Sequence, residues 1–201
     1  MNELDVERAL VEEWQAFVEA QRPDPDAAVS PPRSRLTRPL LWAELEDARQ
    51  AFVELRASLD EPAKAEALAT TRWTVKDVVG HVASWATELV RQIETIAAHR
   101  EFDYVITFTP RVGPTEWNAR ELERRAAMSL DDRFRELDRA TAHVQDLVLS
   151  LPDDVLFGET VLPQTPDGRP EHRWRARPAD FIVNMCSHYR YHLDRLREVV
   201  R

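Results

Sequence analysis

The segment H-Y-R-Y-H, His188 to His192, sets two imidazoles four residues apart. On an α-helix that spacing stacks both rings on one face, with about 5–6 Å between Cβ atoms, so both can reach one ion. Imidazole is neutral over most of the physiological range and suits zinc, nickel, copper and iron. The chain has six histidines, so the pair alone does not decide the matter. Placement adds to it. Phe181, Met185, Leu196 and Val199 recur at helical spacing around the pair and predict a core-facing stripe that contains both rings. Imidazoles buried there need a metal, a hydrogen-bond partner or water. His81 repeats the pattern, with Val78 three residues before it and Trp85 four after. His81, His188 and His192 are therefore the candidate ligands of one divalent metal ion. Three protein ligands leave the remaining positions open for water or substrate, as a catalytic site requires.

Other polar residues are predicted near this face. Asn184 lies four before His188 and Glu88 seven after His81, which makes both candidates to orient a ligand or transfer a proton. Arg195, three after His192, is the candidate for binding an anionic substrate. Trp117 reads as an anchor for a loop. Cys186 is two residues from His188, about 200° round a helix, and reads as a small core residue facing away from the ion. His99, His143 and His172 have no partner at ligand spacing.

Four helical patterns must position these residues. The first carries Leu41, Leu45, Ala48, Phe52, Leu55 and Leu59. The second opens at Thr74, with Asp77 as its capping-box partner, and runs through Val78, Val82, Trp85, Leu89 and Ile93. The third opens at Ser129 with Asp132 in the same relation and stops at Pro152. The fourth begins at Pro178, a favoured first-turn position. Two long connections separate them. One, from about His99 to Met128, holds FDYVITFTPRVGPTEWN, whose first half suits an irregular segment or a short strand. The other, from Pro152 to Arg177, carries the turn signal Pro166-Asp167-Gly168. Loops this long commonly wall or cover a site. Ahead of the bundle, residues 1–35 read as an amphipathic helix with Leu10, Trp14, Phe17 and Val18 on one face, followed by a linker broken by Pro23, Pro25, Pro31 and Pro32. That helix would cap the bundle or join a second copy in a homodimer.

Composition narrows the classes. An apolar fraction of 43% suits a globular chain, and four glycines against many Ala, Leu, Glu and Arg favour helix over sheet. A net charge of −9 with interleaved signs provides no basic face for nucleic acid. The lone cysteine excludes an intrachain disulfide framework, the acidic start lacks signal-peptide features, and no apolar run approaches a membrane span. The expectation is a cytoplasmic, all-α protein with a small-molecule substrate.

The stretch W-T-V-K-D-V-V-G-H-V-A-S-W, Trp73 to Trp85, together with E-W-N at Glu116 to Asn118 and H-Y-R-Y-H-L-D-R-L near the C-terminus, resembles the DinB-like superfamily. The likeness covers roughly Leu36 to Arg201, with the His positions and W-T-V-K-D-V-V-G-H as its distinctive part. It implies a four-helix bundle over residues 36–201, joined by long crossovers. It also implies a zinc or nickel site built from His81, His188 and His192. The extra N-terminal helix departs from the usual pattern. The superfamily includes mycothiol- and bacillithiol-dependent enzymes, so the resemblance implies a metal-dependent enzyme on a small organic molecule, a transferase or isomerase using a low-molecular-weight thiol. Hydrolysis would need the same parts. Some segments also look like the ClbS/DfsB branch, which implies the alternative of a metal-free protein that binds or disarms a small molecule in the same pocket.

Overall fold

The computed structural model describes residues 36–59, 62–70, 72–99, 114–161 and 175–200. The chain divides into two units, Met1–Thr37 and Arg38–Arg201. The predicted N-terminal helix and its linker lie outside the described residues, as do FDYVITFTPRV and the Pro166-Asp167-Gly168 turn.

Four long helices make the second unit: α1 (Arg38–Ser58), α3 (Val75–His99), α5 (Leu130–Ser150) and α7 (Pro178–Val200). Shorter pieces lie between them: α2 (Pro62–Ala65), α4 (Pro114–Arg124) and α6 (Asp153–Leu156). One two-stranded antiparallel ribbon, β1 (Thr160–Val161) with β2 (Arg175–Ala176), closes the last crossover. The fold is the expected all-α bundle. Its helix starts are set by local chemistry. Thr74 Oγ1 accepts from the Asp77 backbone N–H at 3.2 Å while Asp77 Oδ2 accepts from the Thr74 N–H at 3.2 Å, and Ser129 and Asp132 repeat this reciprocal cap. Leu151 ends α5 in an extended conformation, as the following proline demands.

Helix α1 packs on α5 and α7, and α3 packs on the same two. Consecutive long helices, α1 with α3 and α5 with α7, therefore face each other across the diagonals. This arrangement puts α3 beside α7, which is what lets His81 meet the pair from the C-terminal helix. The faces turned inward are apolar, among them Leu45, Val79, Val82, Ile93, Val148 and Ile182, all fully buried. Arg38 fastens the start of α1 to the end of α5, donating to the Leu151 carbonyl at 2.7 Å and pairing with Asp153. The stretch containing Trp117, expected as loop, is instead helix α4, packed on α3. Pro114 stands at its first turn, where a proline's missing N–H costs nothing.

A buried cationic seam ties α3, α4 and α5 together. Arg125, 2% exposed, sits between Glu121 and Glu136, with Nε 2.8 Å and Nη2 2.6 Å from the Glu136 carboxylate. Arg133, 1% exposed, donates to the Lys76 carbonyl at 2.7 Å, to Asp77 Oδ1 at 3.1 Å and to the Arg125 carbonyl at 2.8 Å. These bonds offset much of the desolvation of two guanidinium groups, with Arg133 Nε left buried without a partner. Gly80 makes room for them: a Cβ there would fall 2.9 Å from Arg133 Nη1 and 3.1 Å from its Cδ. Replacing Gly80 by Ala would gain about 1 kcal/mol of helix propensity. Overpacking against a guanidinium held by three hydrogen bonds costs about 1–3 kcal/mol. Gly80→Ala is therefore expected to lower stability by about 1 kcal/mol net, read as a reduced urea midpoint with unchanged m-value; a rise would refute the tight approach of α3 and α5.

Candidate metal centre

Helix α7 turns two faces to the bundle. Ile182, Cys186, Tyr189 and Leu193 form its deepest stripe, with the Tyr189 hydroxyl 3.0 Å from Thr141 Oγ1 and its ring edge-on to Phe52 at 5.6 Å. The predicted stripe was centred one step round the helix: Phe181, His188 and Val199 are half-buried at its margin, whereas Met185, His192 and Leu196 are buried. Tyr189 explains the shift, because its long apolar ring and satisfied hydroxyl claim the centre that the histidine pattern suggested. Cys186 lies on this deep stripe, and burial pushes its thiol up to about 12, which leaves it protonated and inert at neutral pH.

The histidines gather at the edge of that stripe, where α7 meets α3. His188 Nε2 is 3.1 Å from His81 Nε2 and 3.0 Å from His192 Nε2. The rings stand nearly perpendicular, at 72° to 89°, with centroids 4.5–5.1 Å apart, so they meet by their nitrogen edges and not by stacking. His81 and His192 are buried. Among the described residues, these three form the group of His, Cys, Asp and Glu side chains whose ligand atoms converge closely enough to share an ion.

The donor set fits a cation better than it fits itself. A neutral imidazole carries one N–H, and Nε2 is either a single donor or a single acceptor. His188 Nε2 has two nitrogen neighbours, so at most one of the two contacts can be a good hydrogen bond. The other opposes like partial charges in a dry place. Two nitrogens each about 2.0–2.1 Å from one zinc ion would be about 2.9 Å apart at 90° and about 3.3 Å apart at the tetrahedral angle. The two separations from His188 fall inside that interval, and all three ligand atoms lie within 4.8 Å of one another.

Aromatic rings enclose the trio. Trp73 lies against His81 at 4.8 Å, Trp85 is 6.4 Å from both His81 and His188, and Trp117 leans on Trp85 at 4.4 Å. On the far side Tyr191 is edge-on to His192 at 5.1 Å and carries the Arg195 guanidinium over its face at 4.5 Å. Burial holds all three imidazoles below their usual pKa, His188 at about 4. His188 adds to the lowering at His81, and the positive charge of Arg195 adds to it at His192.

The remaining candidates are dispersed. Arg195 acts on His192 through its charge. Glu88 is half-buried on α3, but its carboxylate accepts from Arg91 Nε and from Gln92 Nε2, both at 2.9 Å. Asn184 is exposed. His143 pairs at the surface with Glu94, at 3.2 Å. The residue that sequence reasoning missed is Asn118. Its Oδ1 accepts from the Trp85 indole N–H at 3.1 Å, and it lies close enough to His81 to favour the protonated ring. Pro114 followed by ten helix-compatible residues was the available signal that E-W-N sits on a helix.

Residues 45–181 match the sequence model of the mycothiol maleylpyruvate isomerase N-terminal domain. That span is well over half of the chain, and the chain belongs to this family, a DinB-like domain. The match contains His81 and stops short of His188 and His192. No curated protein and no solved structure gives a significant match.

Because the buried rings stay neutral, the unfolded chain takes up protons below pH 6.5 that the folded protein refuses. Their contribution is fully present above pH 6.5 and is lost as pH falls toward 4. The metal-free protein is expected to lose stability over that window more steeply than a His188→Leu variant. Parallel urea midpoints from pH 7.5 to 4.5 would contradict neutral burial.

Proposed function

From a member of the mycothiol maleylpyruvate isomerase N-terminal domain family that gathers three imidazole nitrogens at one point, we propose a metal-dependent enzyme acting on a small organic molecule. The convergence of three Nε2 atoms, with 3.0–3.1 Å between His188 and each of its neighbours, carries this reading. The family's name supports a low-molecular-weight thiol, mycothiol or a relative, as co-substrate, and with it a transferase or isomerase reaction. Zinc and nickel both accept an all-imidazole donor set.

His81, His188 and His192 would hold the ion. A divalent cation there supplies Lewis acidity, which lowers the pKa of a thiol or water and polarises a carbonyl. The protein's own groups supply the rest. Neutral ligands add no negative charge, so an anionic ligand such as a thiolate or carboxylate is drawn to the centre. Arg195, whose charge is felt at His192, would strengthen that attraction and bind an anionic group of the substrate. Trp73, Trp85 and Trp117 exclude water, and in such surroundings charge interactions are stronger than in bulk solvent. Glu88, whose carboxylate is already committed to Arg91 and Gln92, and the exposed Asn184 would serve only through movement on substrate binding. The described helices include none long and apolar enough to cross a membrane, and a cytoplasmic location suits a thiol-dependent reaction.

Protein purified without an affinity tag is expected to bind close to one equivalent of zinc or nickel. His188→Ala is expected to lose that metal, and any thiol-transferase activity, while keeping its helical circular dichroism. Full retention of metal by the variant would overturn the site. A wild-type protein that takes up neither metal would leave the metal-free binding role in its place.

A further inference from the structure

An imidazole that ligates through Nε2 must carry its proton on Nδ1, and that N–H needs an acceptor to fix the ring. In His81 the Nδ1 is fully buried and makes no hydrogen bond in the present geometry. The aromatic side chains against it are Trp73, just before α3, and Trp85 on α3, and they offer no acceptor: an indole N–H only donates. The polar side chain brought to this corner from another element is Asn118 on α4. Its carboxamide oxygen has two lone pairs, and the Trp85 indole N–H occupies one, at 3.1 Å.

We propose that Asn118 is the positioning residue of His81: its carboxamide oxygen, anchored by Trp85, accepts the Nδ1–H of His81 whenever that ring presents Nε2 to a metal. The inference rests on the metal reading above and adds the residue that aims one ligand. Three observations converge on it. Asn118 holds the indole N–H of Trp85, whose ring stands edge-on to His81 at 6.4 Å, which brings the amide to the corner where the orphaned Nδ1 lies. Trp117, the preceding residue, packs on Trp85 at 4.4 Å and fixes the register of α4 over the site. Arg125, just past the end of α4, is locked to Glu136 on α5 by two short bonds, with the Thr87 hydroxyl of α3 3.5 Å from the same carboxylate. The helix that carries Asn118 is thus tied to both neighbours, and its amide is delivered by a rigid element as an orienting group requires.

Two nearly isosteric substitutions separate hydrogen bonding from packing. Asn118→Leu fills the same space without an acceptor, and Asn118→Asp keeps the acceptor. Zinc affinity would be measured on the full chain by competition with a chromophoric chelator at pH 7.5, with far-ultraviolet circular dichroism and thermal melting as checks of the fold. The expected result is a 10- to 100-fold weaker affinity for Asn118→Leu, as for other lost outer partners, and affinity equal to or tighter than wild type for Asn118→Asp. Equal affinity in wild type and Asn118→Leu would overturn the inference and leave the metal site standing. Equal loss in both variants would assign Asn118 a packing role and would also overturn it. A wild-type protein that binds no zinc or nickel would overturn the metal reading, and this inference with it.

Discussion

Too few protons meet at the place where three imidazoles converge. Each neutral ring has one N–H to give, while His188 Nε2 faces two other nitrogens at hydrogen-bond distance. Protonating a ring would supply the missing donor, but burial opposes charge at all three, and neighbouring rings add to this at His81 and His192. Spreading the rings apart would relieve the conflict, but each is fixed to a long helix whose inward face is packed in the core. The cluster is therefore held together by the fold and not by its own contacts. A cation at the centre satisfies all three lone pairs at once, and that is the physical content of calling it a metal centre.

The rest of the bundle can be understood as what holds that arrangement against its own repulsion. The diagonal placement of α1 with α3 and of α5 with α7 makes α3 and α7 neighbours. Tyr189, bonded to Thr141 and packed on Phe52, sets the rotation of α7 and leaves the His188 face turned toward α3. Gly80, one residue before His81, lets Arg133 lie against α3 and join it to α5 and to the end of α4. Buried ion pairs rarely add much net stability against an apolar alternative. Their value here is geometric, since Arg125 and Arg133 fix the depth and angle of the helix that covers the site.

Much of this was legible in the residues. The four long helices, the caps at Thr74 and Ser129, the stop at Pro152 and the start at Pro178 follow from short-range chemistry that depends on few tertiary contacts. The grouping of His81 with His188 and His192 followed from spacing and from resemblance. Periodicity failed where two stripes of one helix compete. A single sequence cannot show that Tyr189 and Cys186 lie deeper than His188, because a tyrosine and a histidine carry similar weight in an apolar pattern. It failed again at α4, where Glu, Asn and Arg around one tryptophan read as loop although Pro114 and the Glu116–Arg120 pair favour a helix. Asn118 was out of reach for that reason: its role depends on Trp85, thirty-three positions earlier in the chain.

The family match sharpens what is particular to this chain. It spans the helix of His81, the covering helix of Trp117 and Asn118 and the seam of Arg125 and Arg133, and it ends at residue 181, before either histidine of α7. The matched region thus accounts for the frame and one ligand. The donor set as a whole is decided by what α7 contributes at positions 188 and 192. With imidazoles there, the three ligands bring no negative charge, and a dication bound to them keeps its full formal charge next to the cation of Arg195. A carboxylate in either position would remove a unit of that charge and weaken the pull on an incoming anion. With a metal bound as proposed, selectivity for an anionic ligand would therefore be set by two positions of the C-terminal helix, while the rigidity that makes the charge effective would come from the other three long helices.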